Sequence, residues 1–176
     1  MSLDDIRAFK KVGERRYREV RGLFFEDFTV GDVVEHRPGR TVTDADNIWQ
    51  SLLALNPNPL HIDAAYASHT EWGKPLVSSL VTLSIVAGMS VQSTSAKTLA
   101  NLGWEEIRLV HPVFAGDTLY AESEVLEKRL SKSRPNQGIV TVATRGFNQE
   151  GAMVLAYRRS FLIPTREYGL EEEAGY

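Results

Sequence analysis

Alternating hydrophobic and polar positions dominate the second half of the chain. After Gly103 the pattern has a period of two, which is typical of β-strands with one buried face. The four residues "NQEG" end at Gly151 and predict a hairpin turn with glycine in the left-handed conformation. The pattern therefore predicts an antiparallel meander, whose four strand candidates cover residues 104–110, 117–130, 138–148 and 152–163.

The first half of the chain has helical spacing after an opening strand. Residues 24–43 read as a turn followed by strand material. Thr43 and Asp46 resemble a capping box, with Asp in place of the usual Glu or Gln. They predict the start of an amphipathic helix over residues 44–55, whose apolar face is Ile48, Trp49, Leu52, Leu53 and Leu55.

Two further helices are predicted before the meander. A short one follows around residues 63–70. The segment "VSSLVTLSIVAGMSV", residues 77–91, is apolar on most sides, which is typical of a buried central helix. The order strand, helices, meander predicts an α+β fold in which one curved antiparallel sheet wraps a central helix.

The charged ends of the chain predict one domain between two polar extensions. We expect a polar helical or loose lead-in over residues 1–22, a single domain over 23–165, and a polar, acidic, frayed tail over 166–176. A single sheet of this kind leaves an exposed edge, which self-association covers. The sequence therefore predicts a homodimer or a higher homo-oligomer.

Composition excludes several classes of function. The chain has 176 residues and a net charge of −3 without a basic run, which disfavours nucleic acid as a partner. It has no cysteine, so disulfides, cysteine-ligated zinc and cysteine nucleophiles are excluded. That composition fits a reducing cytosol, and we predict a cytoplasmic protein.

No targeting or membrane segment is expected from the sequence. The first twenty residues are charged throughout and lack the apolar stretch of a secretory signal. The longest uncharged run, residues 75–96, is long enough to span a bilayer. Nine of its residues are polar, so a helix buried in protein is the better interpretation.

The segment "LNPNPLHID", residues 55–63, is stiffened by two prolines and carries His61 near its end. One interpretation is structural, since Asn and Pro are common turn residues and His61 would then be a cap or core residue. The other is chemical, because a rigid loop holds a catalytic group in place at low entropic cost. The residues alone leave both open.

Three motifs in the same order resemble one known family. Residues 56–61 read Asn-Pro-Asn-Pro-Leu-His, Lys74-Pro75 opens the predicted central helix, and residues 112–117 read Pro-Val-Phe-Ala-Gly-Asp. Together they resemble the MaoC-like, (R)-specific enoyl-CoA hydratase family, whose members have the hotdog fold. The resemblance covers roughly residues 23–163.

This resemblance implies hydration of a 2-enoyl-CoA thioester, or the reverse dehydration. His61 matches the family's catalytic histidine, and the backbone N–H of Ser79, in the pair Ser78-Ser79, matches its oxyanion donor. The two serines are alternatively ordinary first residues of the helix. Asn58 falls within the substrate-binding loop. The resemblance implies no metal or redox cofactor, with CoA entering as part of the substrate.

Asn56 departs from the family pattern, because it occupies the position of a catalytic aspartate. An amide cannot accept a proton at neutral pH. Either Asn56 orients water while His61 alone transfers protons, or a nearby carboxylate, Asp63 or Asp46, substitutes. Alternatively, the chain has another reaction or none. Asp63 also has a structural interpretation, as the cap of the next helix.

The loop and its flanking helix resemble a subgroup that acts on branched or dicarboxylic C5 acyl-CoAs, such as mesaconyl-CoA, β-methylmalyl-CoA or itaconyl-CoA. A dicarboxylic substrate needs a cation, and Arg40 and Arg108 are the candidates. Either is alternatively a surface ion-pair partner. For the CoA phosphates the candidates are Lys132 and Arg134, in a basic loop that is alternatively only solvated.

Two other classes of function stay open from the sequence. A hotdog thioesterase would hydrolyse the thioester and release CoA thiol, although the Asn-Pro-x-His loop argues against it. A non-catalytic acyl-thioester binding subunit is favoured only by Asn56. The sequence does not define the acyl chain, its stereochemistry or the physiological direction.

Overall fold

The structure, a computed structural model, describes residues 8–171 and 173–176. A five-stranded antiparallel sheet has the order β3-β5-β6-β7-β4, and a separate hairpin pairs β1 with β2. The strands are β1 Phe9–Gly13, β2 Arg16–Glu19, β3 Val33–Thr41, β4 Ala100–Leu109, β5 Thr118–Leu130, β6 Gln137–Phe147 and β7 Met153–Pro164. The helices are α1 Asp44–Leu53, α2 Pro59–Ile62, α3 Ala64–Ala67 and α4 Ser79–Met89.

The predicted α+β class is confirmed, and the predicted meander holds for three of its four strands, since β4 pairs with β7 and not with β5. Strands β5, β6 and β7 are consecutive neighbours, and β4 adds to the far side of β7. The β6–β7 turn has Gly151 at φ 80°, as predicted, with its N–H donating to the Asn148 carbonyl at 3.0 Å. Side chains of β6 alternate between buried and half-buried along the whole strand, which explains its period of two.

Helix α1 begins where its cap predicts and ends earlier than predicted. The Thr43 hydroxyl accepts from the Asp46 N–H at 3.2 Å, and the Asp46 carboxylate accepts from the Thr43 N–H at 2.8 Å. The helix stops at Leu53 because Leu55 has φ 53°, in the left-handed region. Its N–H donates to the Leu52 carbonyl, which terminates the helix two residues before the predicted end.

The predicted second helix, residues 63–70, is the single turn α3, and an unpredicted turn, α2, precedes it within the proline loop. Pro59 occupies the first helical position of α2, where its missing N–H costs no hydrogen bond. Helix α3 then stops at Ala67, before the predicted end at residue 70. The chain leaves the helical conformation between the two turns at Asp63, whose φ of −117° and ψ of 102° are extended.

Both polar ends of the chain are more ordered than predicted. Residues 9–19 form the β1–β2 hairpin, whose side chains are nearly all exposed, so the helical or loose lead-in is wrong there. In the tail, the Glu171 carboxylate accepts from Lys97 Nζ at 2.6 Å. Arg166 also pairs with Asp27, so the tail is held at two points and is not frayed there. Residues 1–7 of the lead-in lie outside the described residues.

The core consists of two apolar clusters on the face of the sheet that carries α4. The first lies under α4, whose Val81 and Val86 are buried, and the second lies towards the 3-10 turn Phe25–Asp27. Burial of α4 is incomplete in the single chain, since Leu80 is 48% exposed. The second cluster consists of Leu23, Phe28, Val125, Val140, Val142, Phe161 and Ile163.

A layer of polar side chains separates the two clusters. His36 on β3 is 1% exposed. Its Nδ1 lies 2.8 Å from the Ser93 hydroxyl and its Nε2 lies 2.8 Å from the Ser123 hydroxyl, which in turn lies 2.8 Å from Thr144 Oγ1. Ser93 belongs to a π-helical turn, Val91–Ser95, that follows α4. The layer therefore joins three strands to the end of the central helix.

Burial makes the stability of the fold depend on the ionisation of His36. Desolvation, with the positive charges of Arg159 and Arg37, lowers the pKa of His36 to about 4, and Glu122 opposes this only in part. Between that value and the ordinary 6.5, the unfolded chain binds a proton that the folded chain does not. This group therefore makes the free energy of unfolding rise with pH, by about 3 kcal/mol in total across that interval.

Urea unfolding at a series of pH values between 4 and 7 measures this effect. We expect the wild-type protein to gain stability relative to His36→Gln as the pH rises, because the variant has no imidazole to charge. Subtracting the free energy of unfolding of the variant from that of the wild-type protein removes the contribution of the carboxylates. A stability difference that does not change with pH would contradict the assignment.

Candidate active site

In the loop after α1, hydrogen bonds between asparagine side chains and the backbone fix the conformation. The Asn56 N–H donates to the Ser51 carbonyl at 2.9 Å, which completes the end of α1. The Asn56 Oδ1 accepts from the Asn58 N–H at 3.3 Å, and the Asn58 Oδ1 accepts from the Leu60 N–H at 3.0 Å. Asn58 is thus the N-cap of α2, and both asparagine side chains shape the loop that presents His61.

His61 is half-buried and is the third residue of α2. Its Nδ1 lies 2.8 Å from the Leu76 carbonyl. A carbonyl only accepts, so Nδ1 carries the proton and neutral His61 keeps Nε2 as a proton acceptor. The arrangement fixes both the tautomer and the ring, which is what a general base requires.

Asn47 on α1 joins this loop to the start of α4. Its Nδ2 donates to the His61 carbonyl at 2.8 Å and to the Leu76 carbonyl at 3.2 Å. Its Oδ1 accepts from the Ser78 N–H at 2.8 Å. The sequence pattern gave no reason to single out Asn47, because its partners lie 14 to 31 residues away.

Ser78 and Ser79 lie at the N-terminus of α4. Ser78 is the N-cap residue without a side-chain cap bond, and Ser79 is the first helical residue. The first N–H groups of a helix have no intrahelical acceptor. The Ser79 N–H therefore remains able to bind an anion at the positive end of the helix dipole.

A cavity of about 250 Å³ opens beside Ser79. It is predominantly apolar and its wall includes Leu76, whose carbonyl holds His61. Leu109 and Val110 at the end of the edge strand β4 form another part of the wall. The remaining lining residues are Trp72, Val77, Thr82, His111, Pro112 and Val113.

The two carboxylates considered as substitutes for the family aspartate have structural roles. Asp63 is exposed, and its Oδ1 accepts from the Tyr66 N–H at 3.0 Å, so it caps α3 as the alternative interpretation holds. Asp46 accepts from Arg40 at 2.9 and 2.6 Å as well as capping α1. Hydrogen bonding to Arg40 holds the pKa of Asp46 well below its usual range, so it is not a base at neutral pH.

The candidate cations are not gathered at His61. Arg40 is the ion-pair partner of Asp46, which is the surface role considered as its alternative. Arg108 is exposed on β4 and is not among the residues that line the cavity. Lys132 and Arg134 lie in the β5–β6 loop, at the opposite end of β5 from the cavity. The thirteen residues of β5 span roughly 40 Å. One chain therefore does not bring the basic loop to its own His61.

The described residues contain no metal-ligand cluster. No group of three or more His, Asp and Glu side chains is arranged to hold a metal ion within residues 8–171 and 173–176. In the same part of the chain, no helix has the length and apolar character needed to cross a membrane.

Comparison with known proteins identifies the family. The model of the mesaconyl-CoA hydratase family matches residues 2–175. The chain belongs to this family. A mesaconyl-CoA hydratase from Cereibacter sphaeroides is 35% identical over 146 residues, which cover 83% of this chain and 42% of that relative. The chain thus spans less than half the length of this curated member of the mesaconyl-CoA hydratase family.

Solved structures confirm the hotdog fold and the MaoC-like resemblance. A putative MaoC domain dehydratase from Chloroflexus aurantiacus has a TM-score of 0.77 and 32% identity, over 82% of this chain and 41% of that one. A Mycobacterium tuberculosis protein with a double hotdog fold has a TM-score of 0.76 over 84% of this chain and 46% of that one. At 22% identity the second likeness concerns the fold alone.

Proposed function

We propose that this chain adds water to the double bond of a 2-enoyl-CoA thioester, or removes it in reverse. The observation that carries the proposal is the fixed tautomer of His61, whose Nδ1 donates to the Leu76 carbonyl at 2.8 Å. Leu76 lies three residues before Ser79 in the sequence. A proton acceptor and an anion-binding helix N-terminus are thereby tied to the same short segment. Membership of the mesaconyl-CoA hydratase family supports the same reaction.

The proposed chemistry uses side chains and backbone only. In hydration, the water oxygen bonds to the β-carbon and its proton passes to His61 Nε2. Negative charge then develops on the thioester oxygen, where the Ser79 N–H donates to it. The imidazolium returns a proton to the α-carbon, which completes the addition, and Asn56 orients the water. An oxyanion donor of this kind is worth on the order of 3 kcal/mol.

For the substrate we propose a branched or dicarboxylic C5 acyl-CoA. The named relative from Cereibacter sphaeroides is a mesaconyl-CoA hydratase, and such a substrate carries a second carboxylate. Because Arg40 is engaged by Asp46, Arg108 is the remaining arginine candidate for that carboxylate. Such a CoA-dependent role, with a cysteine-free sequence, fits our expectation of a cytoplasmic protein.

A homodimer is the proposed functional form. Strand β4 is an unpaired edge, and its side chains Leu102, Trp104, Ile107 and Leu109 are 42–50% exposed. Leu109 also lines the cavity beside Ser79, so a second copy seated on β4 would cover the open side of the site. The proposed CoA contacts of Lys132 and Arg134 then require the basic loop of that second copy. Sedimentation equilibrium should give twice the mass of one chain; a monomer at assay concentration would contradict this.

A panel of thioesters tests the proposed reaction. The purified chain is mixed with crotonyl-, mesaconyl- and itaconyl-CoA, and loss of the conjugated enoyl-thioester absorbance is followed, with a thiol reagent in a parallel well. We expect absorbance loss without thiol release for at least one substrate. Thiol release would instead identify a thioesterase.

A non-catalytic binding subunit is the second candidate. Asn56, in the position of the family's catalytic aspartate, favours it. This candidate predicts saturable binding of the panel thioesters without turnover. It also predicts that turnover appears only when a second, different chain is added.

A further inference from the structure

We infer that Asn47 is a positioning residue for this reaction, which couples the proton acceptor to the oxyanion donor. The inference rests on the proposed function for its catalytic readout. Its structural basis is the single amide group that bonds to the His61 loop, to Leu76 and to Ser78. Asn47 is buried and is not among the residues that line the cavity, so it acts through its partners and not on the substrate.

The side-chain amide of Asn47 makes three of the four hydrogen bonds it can form. Its two N–H hydrogens go to two different carbonyls, and its oxygen accepts from one backbone N–H. Asn47 is 3% exposed, so water does not replace these bonds. An unpaired group at such a depth is costly, which makes the three bonds a rigid connection between α1, the loop and α4.

The first consequence concerns the ring of His61. The Leu76 carbonyl accepts from both Asn47 Nδ2 and His61 Nδ1. Asn47 also holds the backbone carbonyl of His61 itself. The residue thereby fixes both ends of the imidazole: the backbone that carries it and the acceptor that sets its tautomer. Without those bonds, the imidazole ring is less firmly oriented and the Nδ1–H tautomer is less strongly favoured.

The second consequence concerns the Ser79 N–H. The Ser78 N–H, one residue earlier, donates to Asn47 Oδ1 in a buried contact of 2.8 Å. This bond fixes the peptide that leads into α4, and so the direction of the next N–H. Asn47 therefore fixes the segment between the His61 loop and α4 together with the Leu76 N–H, which donates to the Leu60 carbonyl at 3.1 Å.

Gln50, one turn further along α1, supplies a matched comparison. Its Nε2 donates to the Ser84 hydroxyl at 2.6 Å, so it also links α1 to α4. It makes no bond to Leu76, Ser78 or the His61 loop. Gln50→Ala thus removes a tether between the same two helices and leaves the proposed coupling intact.

Asn47→Asp separates positioning from folding. The carboxylate keeps an acceptor for the Ser78 N–H but has no hydrogen to donate to the two carbonyls. We expect kcat to fall about 10²-fold with little change in KM, since small misplacements of a catalytic group have effects of that size. The added negative charge should also move the acidic limb of the kcat profile to higher pH. Gln50→Ala should leave both quantities near the wild-type values.

The ¹⁵N chemical shifts of the His61 imidazole give a readout independent of turnover. The wild-type protein and Gln50→Ala should show the Nδ1–H tautomer, and Asn47→Asp should show a mixture of tautomers or a charged ring. Should Asn47→Asp unfold, Asn47→Ala carries the same test, because it removes the donors without adding charge.

Unchanged His61 shifts in a folded Asn47 variant would overturn the inference, even if the melting temperature falls. If the His61 shifts change in the Asn47 variant while the wild-type protein has no hydratase turnover, the coupling is supported and the proposed function is refuted. The two failures are thus distinguishable.

Discussion

His61→Ala abolishes enoyl-CoA turnover in this account while the fold is retained. The imidazole is half-buried and makes one side-chain hydrogen bond, to the Leu76 carbonyl, so its loss leaves the core unaffected. A general acid/base group typically contributes about 10²–10⁴-fold to the rate. Here one imidazole takes and returns the proton, so we expect a loss at the upper end of that range. Enoyl-thioester absorbance, followed with mesaconyl-CoA or the best substrate of the panel, measures it.

His69→Ala is the matched control for this experiment. His69 lies eight residues further along the same segment and is exposed, and its backbone N–H donates to the Tyr66 carbonyl whatever its side chain. The control should keep wild-type turnover. Circular dichroism and melting temperature should be unchanged in both variants. Full activity in His61→Ala would refute the assignment of the proton acceptor.

Asn56→Asp should raise turnover of crotonyl-CoA, by about 10²-fold if the new carboxylate acts as a general base. The loop tolerates the change, because a carboxylate oxygen accepts the Asn58 N–H in the same way as the Asn56 Oδ1. Asp63 and Asp46 are both engaged in helix caps, so neither supplies this base in the native chain. Initial rates with crotonyl-CoA and with mesaconyl-CoA, measured in parallel, test the prediction.

Asn58→Asp introduces the same charge two residues away and serves as the control. Asn58 caps α2 through its Oδ1, and aspartate is an equally good cap, so folding should not change. We expect no gain in turnover from this variant. An equal gain in both variants would mean that charge near the loop, rather than a base at position 56, raises the rate.

Local signals in the sequence were sufficient for much of the fold. The Thr43–Asp46 cap involves residues three apart, and the alternation along β5 to β7 follows from one buried face. The αL residue that ends α1 early escaped prediction because it is Leu55 rather than glycine. Because Leu55 continues the hydrophobic face of α1, the sequence pattern predicts a longer helix than the backbone forms.

The site could be predicted only in part. The motif around His61 singled out the histidine whose Nδ1 lies 2.8 Å from the Leu76 carbonyl, because the residues of the motif are contiguous. Asn47 could not be found this way, since its bonds reach 14, 29 and 31 residues along the chain. Arg40 was considered for a substrate carboxylate or a surface ion pair. The sequence could not decide between them, because the pairing with Asp46 depends on how β3 enters α1.

Charge patterns were the least informative signal. Residues 9–19 are so rich in Lys, Arg and Glu that they have no hydrophobic period, yet they pair as a hairpin. The basic loop with Lys132 and Arg134 is at the far end of β5, so its proposed contact with CoA phosphates is to the CoA bound by a second copy. Sequence composition carries no information on which end of a sheet a loop occupies.

A crystal structure with a saturated acyl-CoA analogue tests the central claim most directly. The account predicts the thioester oxygen about 2.7–3.1 Å from the Ser79 nitrogen. It also predicts His61 Nε2 facing the β-carbon while Nδ1 still donates to the Leu76 carbonyl. An acyl group bound elsewhere, with Ser79 N–H and His61 Nε2 both remote from the thioester, would contradict the account.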